Sequence, residues 1–131
     1  MGMCPDCETA MIVLDLDGVE IDYCHKCGGC WLDDGELELI ACRATDSPEE
    51  IGDLIRRGRD GGWTGQRCPM CRCRMRESVA GQGRPIRLYR CPRGHGLWVA
   101  SAEMRTLISE CATTHGVVAR FLADLFGAEA R

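Results

Sequence analysis

The spacing of its cysteines constrains the fold of this 131-residue chain more than any other feature of the sequence. Two residues separate the members of the pairs Cys4–Cys7 and Cys68–Cys71, and a further cysteine-containing turn begins at Cys24 and at Cys91. A unit of about 60 residues buries only about 60 % of its unfolded surface and usually needs disulfides or bound metal. The 11 cysteines are the evident source of that support.

The choice between disulfides and metal depends on the cellular compartment. Residues 1–6 contain no basic region and no apolar run, so they do not resemble a signal peptide. No stretch approaches the roughly 20 apolar residues of a membrane span. We therefore expect a cytoplasmic protein without membrane contact, in which reduced cysteine pairs bind metal more often than each other.

An internal repeat relates the two halves of the chain. At a shift of 64 residues segment 4–7 overlays segment 68–71, and at a shift of 67 residues segment 24–31 overlays segment 91–98. Each of the two longer segments ends in a tryptophan. The repeat indicates a duplicated structural unit, with the three additional residues in the glycine-rich loop 81–83.

Turn signals predict a β-hairpin in each half. Asp17-Gly18 is a two-residue hairpin signal, and residues 19–23 alternate apolar and acidic side chains as in a half-buried strand. In the second half, residues 74–80 and 86–90 flank the glycine-rich loop in a similar way. Each half is therefore expected to contain two antiparallel strands between its cysteine turns.

Helical signals follow each hairpin. A helix is expected from Asp33, which forms a capping-box signal with Glu36, and another from Ser47. In the second half a helix is expected from Ser101. A last helix carries apolar residues at helical spacing, namely Val118, Phe121, Leu122 and Leu125.

These elements predict a small metal-stabilised α+β fold of two tandem zinc ribbons. A zinc ribbon is a β-hairpin with two cysteine turns, called zinc knuckles, and here each ribbon is followed by two short helices. We expect an acidic first domain at residues 1–58, a linker at 59–67 and a second domain with a basic ribbon at 68–131.

The cysteine spacing predicts two zinc ions, because tetrahedral zinc takes four thiolate or imidazole ligands and a short turn presents two of them. The first ligand set has 16 residues between its pairs and comprises Cys4, Cys7, Cys24 and Cys27. The second set includes a histidine and comprises Cys68, Cys71, Cys91 and His95. Because Gly94 stands at the position equivalent to Cys27, Cys73 is a rival fourth ligand, and a decayed repeat without metal is the alternative.

A longer motif surrounds the first ligand set and comprises Cys4, Cys7, Asp17-Gly18, Cys24, Cys27-Gly28-Gly29, Trp31-Leu32-Asp33 and Gly35-Glu36-Leu37. This pattern, over residues 4 to about 40, resembles the zf-TFIIB family, the transcription factor zinc-finger domain of bacteria. Residues 68 to about 108 resemble a divergent second copy that departs at Gly94, at His95 and at residues 100–102. The resemblance implies a zinc ribbon with its ligands at the matched cysteines, and the family name suggests a role in transcription regulation.

The net charge of −4 averages two regions of opposite sign. Residues 1–55 contain 14 acidic and two basic residues, a balance of −12. Residues 56–110 contain 12 arginines and four acidic residues, a balance of +8. Such regions favour two units with different surfaces, which pair within one chain, between chains or with other molecules.

The motifs favour an interaction protein over an enzyme. No Gly-x-Ser-x-Gly, Walker or His-Glu-x-x-His motif is present, and closed zinc shells exclude a substrate water, so we expect neither catalysis nor a small-molecule substrate. We expect a protein–protein adaptor or regulator that binds a protein partner or itself.

Two alternative functions stay open. One is a thiol and zinc redox sensor. The other is a nucleic-acid-binding protein in which Trp63 or Tyr89 stacks on a base. The arginines expected to meet its phosphates are Arg72, Arg74, Arg76, Arg87 and Arg90.

Three further expectations concern packing. Trp31 and Trp98 follow the second knuckle of each half, where we expect them to seat the hairpin on its helix. Cys30 is expected to pack as an apolar residue. Glu8 and Arg72 occupy positions where glycine would ease the first turn of each half.

Overall fold

A computed structural model describes residues 2–16, 18–36, 59–80 and 85–111. Within these residues the fold is a seven-stranded antiparallel sheet with one helix. The strands are β1 (Ile12–Leu16), β2 (Val19–Tyr23), β3 (Cys30–Asp33), β4 (Arg59–Arg67), β5 (Arg74–Ala80), β6 (Ile86–Arg90) and β7 (Gly96–Val99), and the helix is α1 (Ser101–Cys111). No helix in these ranges has the length and apolar character needed to cross a membrane.

The strand order shows that the two halves build one sheet about an approximate two-fold axis. The order is β1-β2-β3-β7-β6-β5-β4, so the last strands of the two ribbons, β3 and β7, pair in the middle. Trp31 lies opposite its repeat counterpart Trp98 in that pair. Equivalent positions meet in this way when two units are related by a two-fold rotation.

The first hairpin turns as its sequence predicts. Leu16 pairs with Val19, which leaves a two-residue turn, and Gly18 has a φ of 88°. The Gly18 N–H donates a hydrogen bond to Asp15 Oδ1 at 2.8 Å. A positive φ of this kind is accessible to glycine without strain, so the Asp17-Gly18 sequence fixes the register of β1 and β2.

The structure confirms one of the expected helices and differs from the sequence prediction at the expected linker. α1 confirms the helix expected from Ser101. Asp33 ends β3, and the helix expected from it lies outside the described residues beyond Glu36, as do the helices expected from Ser47 and after residue 116. The described chain is mostly β-sheet rather than an even mixture of strands and helices. Residues 59–67 form β4, which pairs with β5 through two register shifts. Three glycines in β4 obscured its strand pattern in the sequence.

The two faces of the sheet carry different side chains. Residues opposite one another in antiparallel strands project to the same side, so Tyr89, Trp98 and Trp31 share one face. That face packs against the cysteine turns. The other face is aliphatic near its centre and buries Val19, Ile21, Leu32, Leu88 and Val99.

Two glycines let the halves meet closely where β3 and β7 pair. A Cβ atom on Gly29 would lie 2.7 Å from Cη2 of Trp98. A Cβ atom on Gly96 would lie 2.9 Å from Cζ2 of Trp31 and would overlap the carbonyl oxygen of Leu32. Both indole rings are fully buried. The tryptophans therefore hold one half to the other, a role that the sequence analysis did not predict.

Candidate metal centres

Three of the four cysteine turns have the same backbone. These are the turns that begin at Cys4, Cys24 and Cys68. In each, the backbone N–H of the first cysteine donates a hydrogen bond to the carbonyl oxygen five residues later. The N–H of the residue four positions after that cysteine donates a hydrogen bond to the cysteine's own carbonyl oxygen. The residue four positions after the first cysteine is left-handed in each turn, with φ of 57° at Glu8, 77° at Gly28 and 66° at Arg72. Glu8 and Arg72 thus hold strained backbone where glycine would relieve it, as their sequence positions predict.

In the fourth turn the left-handed residue lies one position earlier, which accounts for a donor one residue further along the chain. Gly94 lies three residues after Cys91, has a φ of 77° and donates its amide to the Cys91 carbonyl at 3.0 Å. The position that carries the ligand in the other turns is therefore occupied by the left-handed glycine. His95 lies one residue further on and places Nδ1 3.4 Å from Cys91 Sγ.

The first cluster brings together Cys4, Cys7, Cys24 and Cys27, whose sulfur atoms all lie within 4.8 Å of one another. Cys4 Sγ and Cys27 Sγ are 3.7 Å apart. Cys4 and Cys24 are buried, whereas Cys7 and Cys27 are half-buried. The Cys7 amide donates to Cys4 Sγ at 3.3 Å, a contact that favours a thiolate at that sulfur.

The second cluster brings together Cys68, Cys71, Cys91 and His95 within the same limit of 4.8 Å. The sulfur atoms of Cys71 and Cys91 are 3.6 Å apart, and His95 Nδ1 lies 4.0 Å from Cys68 Sγ. Backbone amides donate to the sulfur atoms of Cys68 and Cys91 at 3.3 and 3.4 Å. Cys73, the rival fourth ligand, is not a member of this group.

These distances fit a tetrahedral zinc ion. Zn–S bonds of about 2.3 Å at tetrahedral angles place two sulfur ligands about 3.8 Å apart, and a sulfur and an imidazole nitrogen about 3.6 Å apart. The S···S distances of 3.7 and 3.6 Å and the shorter S···N distance of 3.4 Å are close to these values. A disulfide requires about 2.05 Å between sulfurs, so the described cysteines are free. Both donor sets fit zinc.

Thiols with opposite pKa shifts lie side by side in each cluster. Burial raises the pKa of Cys68 to about 12, whereas the backbone N–H of Cys73 and the neighbouring ligands lower the pKa of Cys71 to about 6. In the first cluster burial raises the pKa of Cys4, and backbone and side-chain hydrogen bonds outweigh burial to lower the pKa of Cys24 to about 6. Because metal ligands must be deprotonated, a divalent ion that binds such a cluster displaces the protons of its high-pKa thiols.

Asp6 links the first cysteine turn to the second half, a contact that sequence reasoning missed. Its Oδ2 accepts a hydrogen bond from Nε1 of Trp98 at 3.3 Å, and its Oδ1 accepts one from Nε2 of Gln66. The indole of Trp31 donates within its own half instead. A difference between the two repeats could have indicated this contact, because the position equivalent to Asp6 in the second half is Met70, which has no carboxylate.

The five arginines proposed for phosphate contact do not share one surface. Arg76 lies opposite Arg90, and Arg74 is two residues from Arg76 on the same strand, so these three share a face. Arg87 lies on the other face, where a carboxylate 3.2 Å away pairs with it. Arg72 lies in a cysteine turn.

Packing argues against the stacking role considered for Tyr89 and agrees with the apolar role expected of Cys30. Tyr89 packs against the buried cluster that contains the metal-ligand cysteines, so it is not an exposed stacking platform. Cys30 is fully buried as expected and precedes Trp31 on β3, which places it on the sheet face away from the cysteine turns. Burial also raises the pKa of its thiol.

The first half of the chain matches a known family. Residues 3–43 match the family described as transcription factor zinc-finger. The matched segment contains all four donors of the first cluster and strands β1 to β3. It supports one copy of that domain in this chain. No curated protein and no solved structure matched the chain.

Proposed function

We propose that this protein is a non-enzymatic interaction module in which two zinc ions hold two joined ribbons. The observation that carries the proposal is the pair of four-donor clusters at tetrahedral spacing in one shared core. A structural zinc site contributes roughly 10–16 kcal/mol of apparent binding energy at neutral pH. Because a whole domain is typically stable by only about 5–15 kcal/mol, zinc binding would dominate the stability of both ribbons.

Complete donor sets support a structural rather than a catalytic role for the zinc ions. Catalytic zinc keeps a position open for water or substrate, whereas each cluster supplies four protein donors. Within the described residues no further group of three or more potential metal ligands comes together. These features support a protein that binds macromolecules and has no small-molecule substrate.

We also propose that residues 68 to about 108 are a divergent second copy of the matched domain. The near-symmetric strand order and the shared backbone of the turns at Cys4 and Cys68 support this assignment. The shifted left-handed position at Gly94 places the fourth donor one residue further along the chain, at His95. The second set thereby keeps four donors despite its departure from the family pattern.

The placement of charge supports binding to another macromolecule. Acidic residues concentrate in the first ribbon and arginines in β4 and β5, at opposite ends of the sheet. The halves meet instead through β3 and β7, which pair buried tryptophan side chains. Within the described residues, this junction is therefore formed by apolar packing rather than by opposite charges. The charged ends of the sheet would suit a protein partner, as in a cytoplasmic adaptor or regulator, or nucleic acid.

Native mass spectrometry of the full-length protein tests the zinc assignment. We expect two zinc ions on the wild type, one on Cys24→Ser and one on His95→Ala. Cys73→Ser is the matched control and should keep both, because its thiol lies outside the second cluster. A wild type without zinc, or a His95→Ala variant that retains two ions while Cys73→Ser loses one, would contradict the assigned ligands.

A further inference from the structure

We propose that an exposed surface of the second half binds single-stranded nucleic acid, an inference that deepens the proposed interaction function and rests on it. The surface, which we term the Trp63–arginine surface, comprises Trp63, Arg67, Arg74, Arg76 and Arg90. It lies outside the family match at residues 3–43. The proposal rests on an exposed aromatic ring, on the register that surrounds it with guanidinium groups and on the open backbone beside it.

Trp63 is exposed in a way that the other two tryptophans are not. Its relative exposure is 57 %, whereas Trp31 and Trp98 are fully buried. It lies in β4, the outermost strand of its half. The guanidinium of Arg76 sits 5.2 Å from the centroid of its ring and brings positive charge to the aromatic surface.

The strand register places further arginines beside Trp63 and Arg76. Trp63 lies opposite Arg76, which lies opposite Arg90. One step along the same face, Arg67 lies opposite Arg74. Residues two apart on a strand are separated by about 6.8 Å, so Arg74 and Arg76 can meet different phosphates of one extended strand.

Backbone contacts orient these arginines and leave donors for a ligand. Arg74 Nε donates to the Thr64 carbonyl at 3.0 Å, and Arg76 Nη2 donates to the Gly61 carbonyl at 3.4 Å. Each guanidinium has five N–H donors, so most stay available to phosphate oxygens. Among the described residues, neither arginine pairs with a carboxylate.

The backbone around Trp63 is open to a flat ligand. A Cβ atom placed on Gly62 or on Gly65 would meet nothing within 4 Å. Glycines in a strand often mark a place where a ligand approaches closely. An unpaired base can stack on an exposed indole while its phosphates meet nearby arginines, whereas the bases of a duplex are already stacked on each other. This favours a single strand over a duplex and over a purely acidic protein segment.

Fluorescence anisotropy with the zinc-loaded full-length protein tests the proposal. The probes are a labelled oligothymidine of about 20 nucleotides and the duplex of the same length, at about 50 mM salt. We expect the single strand to bind more tightly than the duplex. Trp63→Ala should weaken binding by about 5- to 150-fold. Arg74→Gln should reduce the slope of log affinity against log salt by about 0.7, the value for one lost phosphate contact on a single strand.

Controls separate this proposal from the zinc assignment. Arg87→Gln removes an arginine from the opposite face and should leave binding unchanged, and each variant should retain two zinc ions by native mass spectrometry. The proposal is overturned by an absence of binding to the single strand or by equal binding to the duplex. Equal losses in Arg87→Gln and Trp63→Ala, or equal competition by polyglutamate, would also overturn it. A protein that carries two zinc ions but does not bind the strand would refute this inference alone.

Discussion

Substitution of Gly96 by alanine tests whether the two ribbons form one rigid sheet. A Cβ atom at this position overlaps the Leu32 carbonyl oxygen and lies 2.9 Å from Cζ2 of Trp31. Neither neighbour can yield cheaply, because the first is backbone in the paired strand β3 and the second is a fully buried ring. The strands must separate locally for the methyl group to fit.

The expected loss follows from the cost of overpacking a buried site. Extra methyl groups in a packed core cost about 1–3 kcal/mol, and a clash with backbone places Gly96→Ala at the upper end of that range. A loss of 1 kcal/mol lowers the thermal midpoint of a chain of this size by about 4 °C. We therefore expect the midpoint to fall by roughly 8–12 °C at a fixed concentration of free zinc.

Thermal unfolding followed by circular dichroism measures this shift. Gly65→Ala is the matched control, since it adds the same methyl group to a strand glycine with nothing within 4 Å. Its midpoint should stay close to that of the wild type. Equal midpoints for Gly96→Ala and Gly65→Ala would refute the close junction between β3 and β7.

Three further predictions concern the core and its charges. Asp6→Ala leaves the buried indole N–H of Trp98 without its acceptor and should reduce the free energy of unfolding by about 1–3 kcal/mol in urea titrations, with a smaller loss for Asp6→Asn. The pKa of Glu36 is raised to about 7, first by burial and then by the nearby charges of Asp33 and Asp22. The protonated Glu36 carboxyl therefore contributes fully to folding stability below pH 4.5, and this contribution is lost as the pH rises through 7. Glu36→Gln should therefore exceed the wild type in stability at pH 8, and the difference should shrink as the pH falls toward 5.5; a constant difference would contradict the shift. Removal of zinc with a chelator should abolish the far-ultraviolet circular dichroism signal of the sheet, and an unchanged spectrum would show that the fold does not depend on metal.

The sequence contained enough information to predict the two donor sets and the hairpins. A turn that presents two ligands requires short, fixed spacing, so the positions of Cys4, Cys7, Cys24 and Cys27 constrain the backbone directly. The same holds for Asp17-Gly18, where a positive φ at Gly18 is built into the turn. Local geometry of this kind is visible in a few consecutive residues.

The junction between the ribbons could not be predicted in the same way. Neither Gly29 nor Gly96 has a positive φ, so the cysteine turns beside them do not require glycine at these positions. Each is required by a tryptophan far away in the chain, and no local pattern specifies such a contact. Strand β4 was missed for a related reason, because its glycines and its register shifts hide the alternation that identifies a strand.

X-ray absorption at the zinc edge tests whether these two donor sets hold zinc, because it reports the ligands of the bound ions in the intact protein. Two ions held by seven thiolates and one imidazole predict an average shell of about 3.5 sulfur atoms near 2.3 Å and about 0.5 nitrogen atoms near 2.0–2.1 Å per zinc. In His95→Cys the nitrogen contribution should disappear while both ions stay bound. A wild-type spectrum dominated by oxygen and nitrogen ligands, or a purified protein with no zinc signal, would contradict zinc binding by these two donor sets.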